Sequence, residues 1–272
     1  MGFRALFLAG ERADPDTVKW AQKALNVPII DNFWATETNG PIVCNPLGLH
    51  QFPIKPGSAT LPTMGYDLRV LDDDGNEITE RNKQGNLVIK LPLPPGCFHT
   101  LFNNHERWIK SYMTKFPGYF NLSDGGFIDD DGYVHVMGRT DDVINCAGHR
   151  LSSGQLEQYL TNNKYVAEAA VIGAKDPLKG QIPIGFIVLK TNVVKIDHSI
   201  IEKELINSIR QLVGPVAAFK KVFIVSRLPK TRSGKILRNV IRALIDGEEP
   251  KIPATIEDIS VIKEIKQIID DK

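Results

Sequence analysis

The opening thirty residues constrain the fold more than any other stretch. Residues 5–10 (ALFLAG) form a short apolar run closed by a glycine, and residues 27–30 (VPII) form a second. Between them residues 14–25 read as a helix, with Asp14 as its cap, Pro15 in the first turn and Val18, Ala21 and Leu25 spaced for one face. Two buried strands joined by a helix make a parallel crossover unit. A chain that opens this way is expected to be the end of a larger parallel sheet, with a substantial region preceding it.

The pattern then changes twice. From about residue 41 to residue 138, short strands alternate with turns: YDLRVLD, GNLVIKLP and GFIDDDGYVHVMG, with Asp74-Gly75 and Asp131-Gly132 as hairpin signals. A helix is expected within the aromatic-rich residues 98–120, whose aromatic side chains are assigned to a core. After Gly138 helices and strands mix. A helix is expected over 152–162, strands over 166–173 and 184–190, and an amphipathic helix over 197–213 carrying Ile200, Ile201, Leu205, Ile209 and Leu212. A strand over 221–225, a helix over 236–245 and a terminal helix over 259–271 complete it. The fold class is therefore α/β plus α+β: a parallel-sheet unit and a β subdomain, then a small α+β domain.

A chain of 272 residues holds one or two domains. Its 33 basic and 32 acidic residues leave a net charge of +1, which gives no whole-surface attraction for nucleic acid or anionic lipid. No apolar stretch approaches the ~18 residues of a membrane span. The first residues lack a signal-peptide core, and the last carry no retention address. Three cysteines without CxxC spacing argue against a disulfide framework or structural zinc and favour a reducing compartment.

Four stretches carry candidate chemistry. Residues 31–40 (DNFWATETNG) directly follow a buried strand, where α/β folds place ligands. Thr36 and Thr38 offer hydroxyls and Glu37 a carboxylate suited to a magnesium ion, although a polar capped turn has the same composition. Asp124, before two glycines, reads first as a tight turn and second as a ribose-binding carboxylate. GRTDDVINCAGHR (residues 138–150) is either a linker or a hinge with ligand contacts at both ends. The last stretch, residues 227–242, has six basic residues and no acidic one. It fails the Walker pattern, with Pro229 where glycine is needed and Ile236 where Ser or Thr is needed. A solvated helix face is one reading of it. A mobile loop carrying Lys235 to a phosphate is the other.

In this order, TET, Asp124-Gly125, GRTDD with GHR, and PKTRSGK, the chain resembles the adenylate-forming acyl-CoA synthetases. It is most similar to the acetyl- and propionyl-CoA synthetase branch. LAGER, DNFWATET, DPLKG and ATIED look like the propionyl-CoA enzymes in particular, and the likeness covers essentially the whole chain. The resemblance implies that residues 1–139 are the C-terminal part of an AMP-binding domain. Residues 140–272 would then be a small mobile C-terminal domain, with its hinge at Asp141. It further implies adenine contacts at Gly10 and Glu11, and phosphate and Mg2+ contacts at Thr36 and Glu37. Asp31 joins the nucleotide site, and ribose contacts fall at Asp124 and Arg139. Coenzyme A contacts fall at Gly148, Arg150 and Arg210, and Lys235 is the lysine of adenylation. Trp34 and Ala9 line the acyl pocket.

The implied function is an acid–thiol ligase consuming ATP, coenzyme A and a short carboxylic acid, in the cytoplasm or mitochondrial matrix, without nucleic-acid or membrane partners. The family's glycine-rich phosphate loop has no counterpart here. The chain is therefore expected to be a C-terminal fragment, nearly inactive alone, whose partner is the missing N-terminal region. The alternatives are a non-catalytic nucleotide- and CoA-binding module, or a ligase that prefers acetate. Three positions depart from the pattern: Ala35 replaces glutamine, Asn39 a glycine and Ala147 a serine.

Overall fold

The computed structural model describes residues 2–10, 13, 15–191 and 196–271. The chain divides into two compact units, Met1–Asp141 and Asp142–Lys272.

In the first unit, β1 (Leu6–Leu8), α1 (Pro15–Leu25) and β2 (Ile29–Asp31) form the expected crossover, and Leu6, Phe7 and Leu8 pair in parallel with Ile29, Ile30 and Asp31. Asp14, the expected cap, lies outside the described residues. Val18, Ala21 and Ile29 are buried together. Two expectations fail here. Phe7 is 58% exposed, because α1 covers only one face of this two-stranded sheet, and Leu25, the last residue of α1, is exposed as well.

Two short strands, β3 (Val43–Cys44) and β4 (Leu61–Pro62), pair with each other. The β subdomain proper is an antiparallel meander of β5 (Leu68–Leu71), β6 (Gly85–Lys90), β7 (Tyr119–Ile128) and β8 (Val134–Arg139). Both glycines of the hairpin signals adopt positive φ, 89° at Gly75 and 84° at Gly132. Within β7, Gly126 must be glycine, since a Cβ there would lie 2.4 Å from the His135 carbonyl oxygen. Residues 98–120 supply α2 (His105–Trp108), continued by a π-helical turn over Ile109–Met113. Trp108, Phe116 and Phe120 are buried as expected, but Phe98 and Phe102 are exposed, Phe102 to 93%.

The second unit is a sheet with helices on both faces. β9 (Val143–Cys146) and β10 (His149–Ser152) form a hairpin, followed by α3 (Ser153–Thr161) capped by the Ser152 hydroxyl. β11 (Val166–Asp176) and β12 (Gly180–Leu189) form a long antiparallel pair. Then come α4 (His198–Leu212), capped by Asp197, β13 (Lys221–Ile224), parallel to β12, α5 (Arg238–Ile245) and α6 (Ser260–Asp270). Alternation along β11 sends Ala169 and Val171 into one core with α3 and α4, and Ala170, Ile172 and Ala174 into another with α5 and α6. The buried stripe of α4 is Ile201, Leu205 and Ile209, narrower than its pattern suggested, because Ile200 and Leu212 are exposed.

Candidate functional site

The residues of the first unit gather around the turn after β2. Asp31, half-buried, ends that strand opposite Leu8. The Asn32 side chain donates to the Leu8 carbonyl at 3.2 Å, fixing the exit of the chain. Thr36–Thr38 form a single 3-10 turn. Its third residue, Thr38, is buried, and its hydroxyl bonds back to Ala35 and to the Gly40 carbonyl, so Thr38 holds the turn rather than a ligand. Thr36 is exposed. Asn39 closes the turn at φ 55°, in the left-handed region that glycine enters freely and asparagine tolerates. The departure from glycine at this position therefore preserves the turn.

Glu37 is half-buried, and one carboxylate oxygen accepts a short hydrogen bond from the Tyr112 hydroxyl. Burial, followed by the hydrogen bond to Glu37, pushes the Tyr112 phenol up to about 12, so it remains a donor across the working range. Its ring stacks on Phe120 with centroids 5.1 Å apart. Tyr112 escaped the sequence reading, which placed it among core aromatics. It sits 75 residues from Glu37, with no local signal beyond the aromatic-rich stretch.

Asp124 is not in the tight turn that its two glycines suggested. It lies within β7, just past a bulge: Asn121 pairs with Val88 and Asp124 with Leu87, leaving two residues unpaired between them. Ser123 takes φ 57° there, and the Asn121 side chain accepts from its amide at 3.1 Å. Such bulges re-aim the next side chain. Asp124 meets Arg139 at 3.5 Å, and Arg139 also donates to the Leu122 carbonyl at 3.1 Å. Both pairs attach to β7: Asp124 is part of that strand and meets Arg139, while Tyr112, which holds Glu37, stacks on Phe120 of the same strand. Gly10 is exposed at φ 99°, and Glu11 lies outside the described residues. Ala9 is exposed and Trp34 is 48% exposed, so the described residues close no pocket around them. Asp141 is exposed at the end of its unit.

In the second unit, Gly148 and Arg150 belong to the β9–β10 hairpin. Cys146 pairs with His149 across a two-residue turn in which both Ala147 (φ 49°) and Gly148 (φ 83°) are left-handed. This is the mirror-image turn that matches strand twist. The Cys146 thiol lies 3.5 Å from the Val216 carbonyl, which brings the foot of the hairpin to the turn just beyond α4. Arg210 is exposed in the last turn of that helix, a favourable place for a cation.

Lys235 lies on a closed loop. Lys230 bridges Ile236, the Thr231 amide donates to the Lys235 carbonyl at 2.8 Å, and Gly234 turns at φ 87°. Hydrogen bonds stitch the loop to its own unit. The basic stretch is also less basic than it reads. Arg227 pairs with Asp258 and Glu264, Lys230 with Glu168, Arg238 with Glu157, and Arg242 with Asp142. Among the described residues, only Arg232 and Lys235 of the six have no such partner.

The Lys235 loop and the Gly148 turn stand toward opposite ends of the sheet. Lys230 anchors the loop to Glu168 near the start of β11, whereas Cys146 meets Gly180 beside Asp176 at its far end. Those eight residues of strand span about 26 Å.

Residues 1–95 match the AMP-binding enzyme family, and residues 155–235 match the AMP-binding enzyme C-terminal domain. The chain belongs to the AMP-binding enzymes, in their acetyl- and propionyl-CoA synthetase branch. The mouse (Mus musculus) protein named mitochondrial acyl-CoA synthetase short-chain family member 3 is 44% identical over 98% of this chain and 39% of its own length. Propionate–CoA ligase of Escherichia coli is 39% identical over 98% of this chain and 43% of its own. The chain thus spans about two fifths of the curated relatives it matches. Acetoacetyl-CoA synthetase from Streptomyces lividans shares the fold, with TM-score 0.82 and 19% identity over 98% of this chain and 41% of that one.

Proposed function

We propose that this chain supplies the nucleotide, acyl and thioester contacts of a short-chain acyl-CoA synthetase acting on propionate. The observation that carries the reading is the unpaired Lys235 at one end of the second unit, in a basic stretch otherwise neutralised internally. In the first half-reaction the propionate oxygen attacks the α-phosphorus of ATP, and pyrophosphate leaves with the electrons of the broken P–O bond. Negative charge builds on phosphate oxygens, and an aimed ammonium is worth ~3–4 kcal/mol there. Lys235 has that role. Thr36 offers its hydroxyl to the phosphate, and Asp124, braced by Arg139, accepts from the ribose hydroxyls.

Among the described residues no three His, Cys, Asp or Glu cluster as a metal cage. One carboxylate beside phosphates suffices for Mg2+, and Glu37, oriented by Tyr112, fits it. When bound, the ion neutralises phosphate charge. In the second half-reaction the CoA thiolate attacks the acyl carbon and AMP leaves. Gly148, Arg150 and Arg210 serve that step. The roughly 26 Å of β11 that separates the level of the Lys235 loop from that of the Gly148 turn supports an exchange of ends by rotation at Asp141, with residues 1–139 and 140–272 as the two domains.

The test is a chimera in which this chain replaces the matching part of the E. coli propionate–CoA ligase. It should make propionyl-CoA and catalyse propionate-dependent ATP–pyrophosphate exchange. Lys235→Ala should lose exchange a hundred- to a thousandfold, yet form thioester from preformed propionyl-adenylate within a few-fold of the parent. Equal loss in both half-reactions would refute the assignment of Lys235.

A further inference from the structure

The Lys235 loop is held from outside by the chain that follows α5. Thr231 and Ile256 form a bridge, the Arg232 amide donates to the Thr255 carbonyl at 2.9 Å, and the Glu257 amide donates to the Lys230 carbonyl at 2.9 Å. Residues 255–257 thus add a short antiparallel edge to residues 230–232, whose other side already carries the bonds to Lys235 and Ile236. The edge has its own anchor. Arg227 reaches Asp258 at 2.6 Å, Ser260 at 2.7 Å, and both oxygens of Glu264 at 2.6 and 3.3 Å. Ser226 donates to the same Glu264 carboxylate at 3.0 Å. Beneath these contacts Val261, Ile262 and Ile265 pack in one core with Leu228 and Leu237, the residues that bracket the loop.

An isolated surface ion pair contributes little. Here one guanidinium engages two carboxylates and a serine in fixed fork geometry, which supplies direction as well as energy. Its placement matters more than its strength: it joins the first residue of the basic stretch to the segment that edges the lysine loop.

We propose that residues 255–264 clamp the Lys235 loop, with Arg227 as the positioning residue, so that the tail of the chain belongs to the adenylation machinery. This rests on the reading of Lys235 as the adenylation lysine, but the clamp itself is open to a separate measurement. Arg227→Met keeps the aliphatic length and removes the fork. Hydrogen exchange on the 272-residue chain should then show the amides of Arg232, Lys235 and Glu257 exchanging at least tenfold faster, with the β11–β12 amides unchanged. Unchanged exchange in the loop overturns the clamp. Equal acceleration across β11 and β12 also overturns it, because Arg227 would then merely stabilise the unit.

In the chimeric ligase, Arg227→Met should lower ATP–pyrophosphate exchange at least tenfold and leave thioester formation from preformed propionyl-adenylate within twofold, with Arg227→Lys intermediate. Full exchange activity with a loosened loop overturns the positioning role. If Lys235→Ala leaves exchange intact, the ligase reading of that lysine fails, while the amide measurement still decides the clamp.

Discussion

The pair formed by Arg238 and Glu157 ties α5 to α3 through the middle of the second unit. Its two bonds measure 2.7 and 2.8 Å, and the side chains are only 15% and 11% exposed. The same carboxylate accepts from the Val171 amide at 2.8 Å. Arg238→Met would leave a buried carboxylate without its cation, a change that typically costs ~3–5 kcal/mol. For a domain of this size that is on the order of 10–20 °C in Tm.

The pH dependence has a definite sign. Burial already raises the Glu157 carboxyl above its ordinary 4.5, against the opposing pull of Arg238. Removing Arg238 takes away the strongest lowering influence, so the variant's carboxyl rises further. An acid whose folded pKa exceeds its unfolded one contributes stability that is fully present below the unfolded pKa. That stability is lost as pH rises through the folded pKa. The deficit of Arg238→Met should therefore be largest above neutrality and shrink towards pH 5. Adding Glu157→Gln, which keeps a carbonyl for the Val171 amide, should restore most of the loss.

Urea and thermal unfolding of the chain, followed by circular dichroism from pH 5 to 8, measures this. Tryptophan fluorescence serves as an internal reference, because Trp20, Trp34 and Trp108 all lie in the first unit. A pH-independent deficit, or one under about 1 kcal/mol where 3–5 is expected, would show that the pair is not the buried strut described.

Tyr112→Phe removes the hydroxyl that orients Glu37, and in the chimeric ligase it should raise the Mg2+ concentration needed for half-maximal exchange several-fold without slowing thioester formation. An unchanged Mg2+ titration would refute that role. Ala9→Val should shift kcat/KM from propionate towards acetate by about tenfold, since one methylene gives ~1–3 kcal/mol of discrimination. Trp34→Gly should admit longer acids, and unchanged ratios in both variants would remove these residues from the acyl pocket. Ala147→Asn, at φ 49°, should raise the Tm of the second unit by a few degrees, because alanine in the left-handed region costs ~1–2 kcal/mol that asparagine largely avoids. A lower Tm would mean that the turn is strained for another reason.

The sequence by itself determined the elements whose causes are local. Apolar runs marked β11 and β12, helical spacing of apolar residues marked α4, and glycines after aspartate marked the turns at Gly75 and Gly132. Each is set within a few residues, by side-chain period or backbone sterics. The order of TET, GRTDD and PKTRSGK likewise carried the family.

Only the tertiary structure decided what surrounds these residues. Six basic residues in a row of sixteen read as a charged face. Their partners lie far away in the chain: Glu157 is 81 residues from Arg238, and Asp142 is 100 from Arg242. The layering of helices on the sheet chooses those pairs, and with them which lysine stays unpaired. Tyr112 reaches Glu37 because a π-helical turn and the meander bring them together, and Asp124 is aimed by a bulge that its neighbours alone disguise as a turn. Pattern fixes where the backbone can go, because its determinants are neighbours in the chain. Charge and hydrogen-bond partners are settled by neighbours in space.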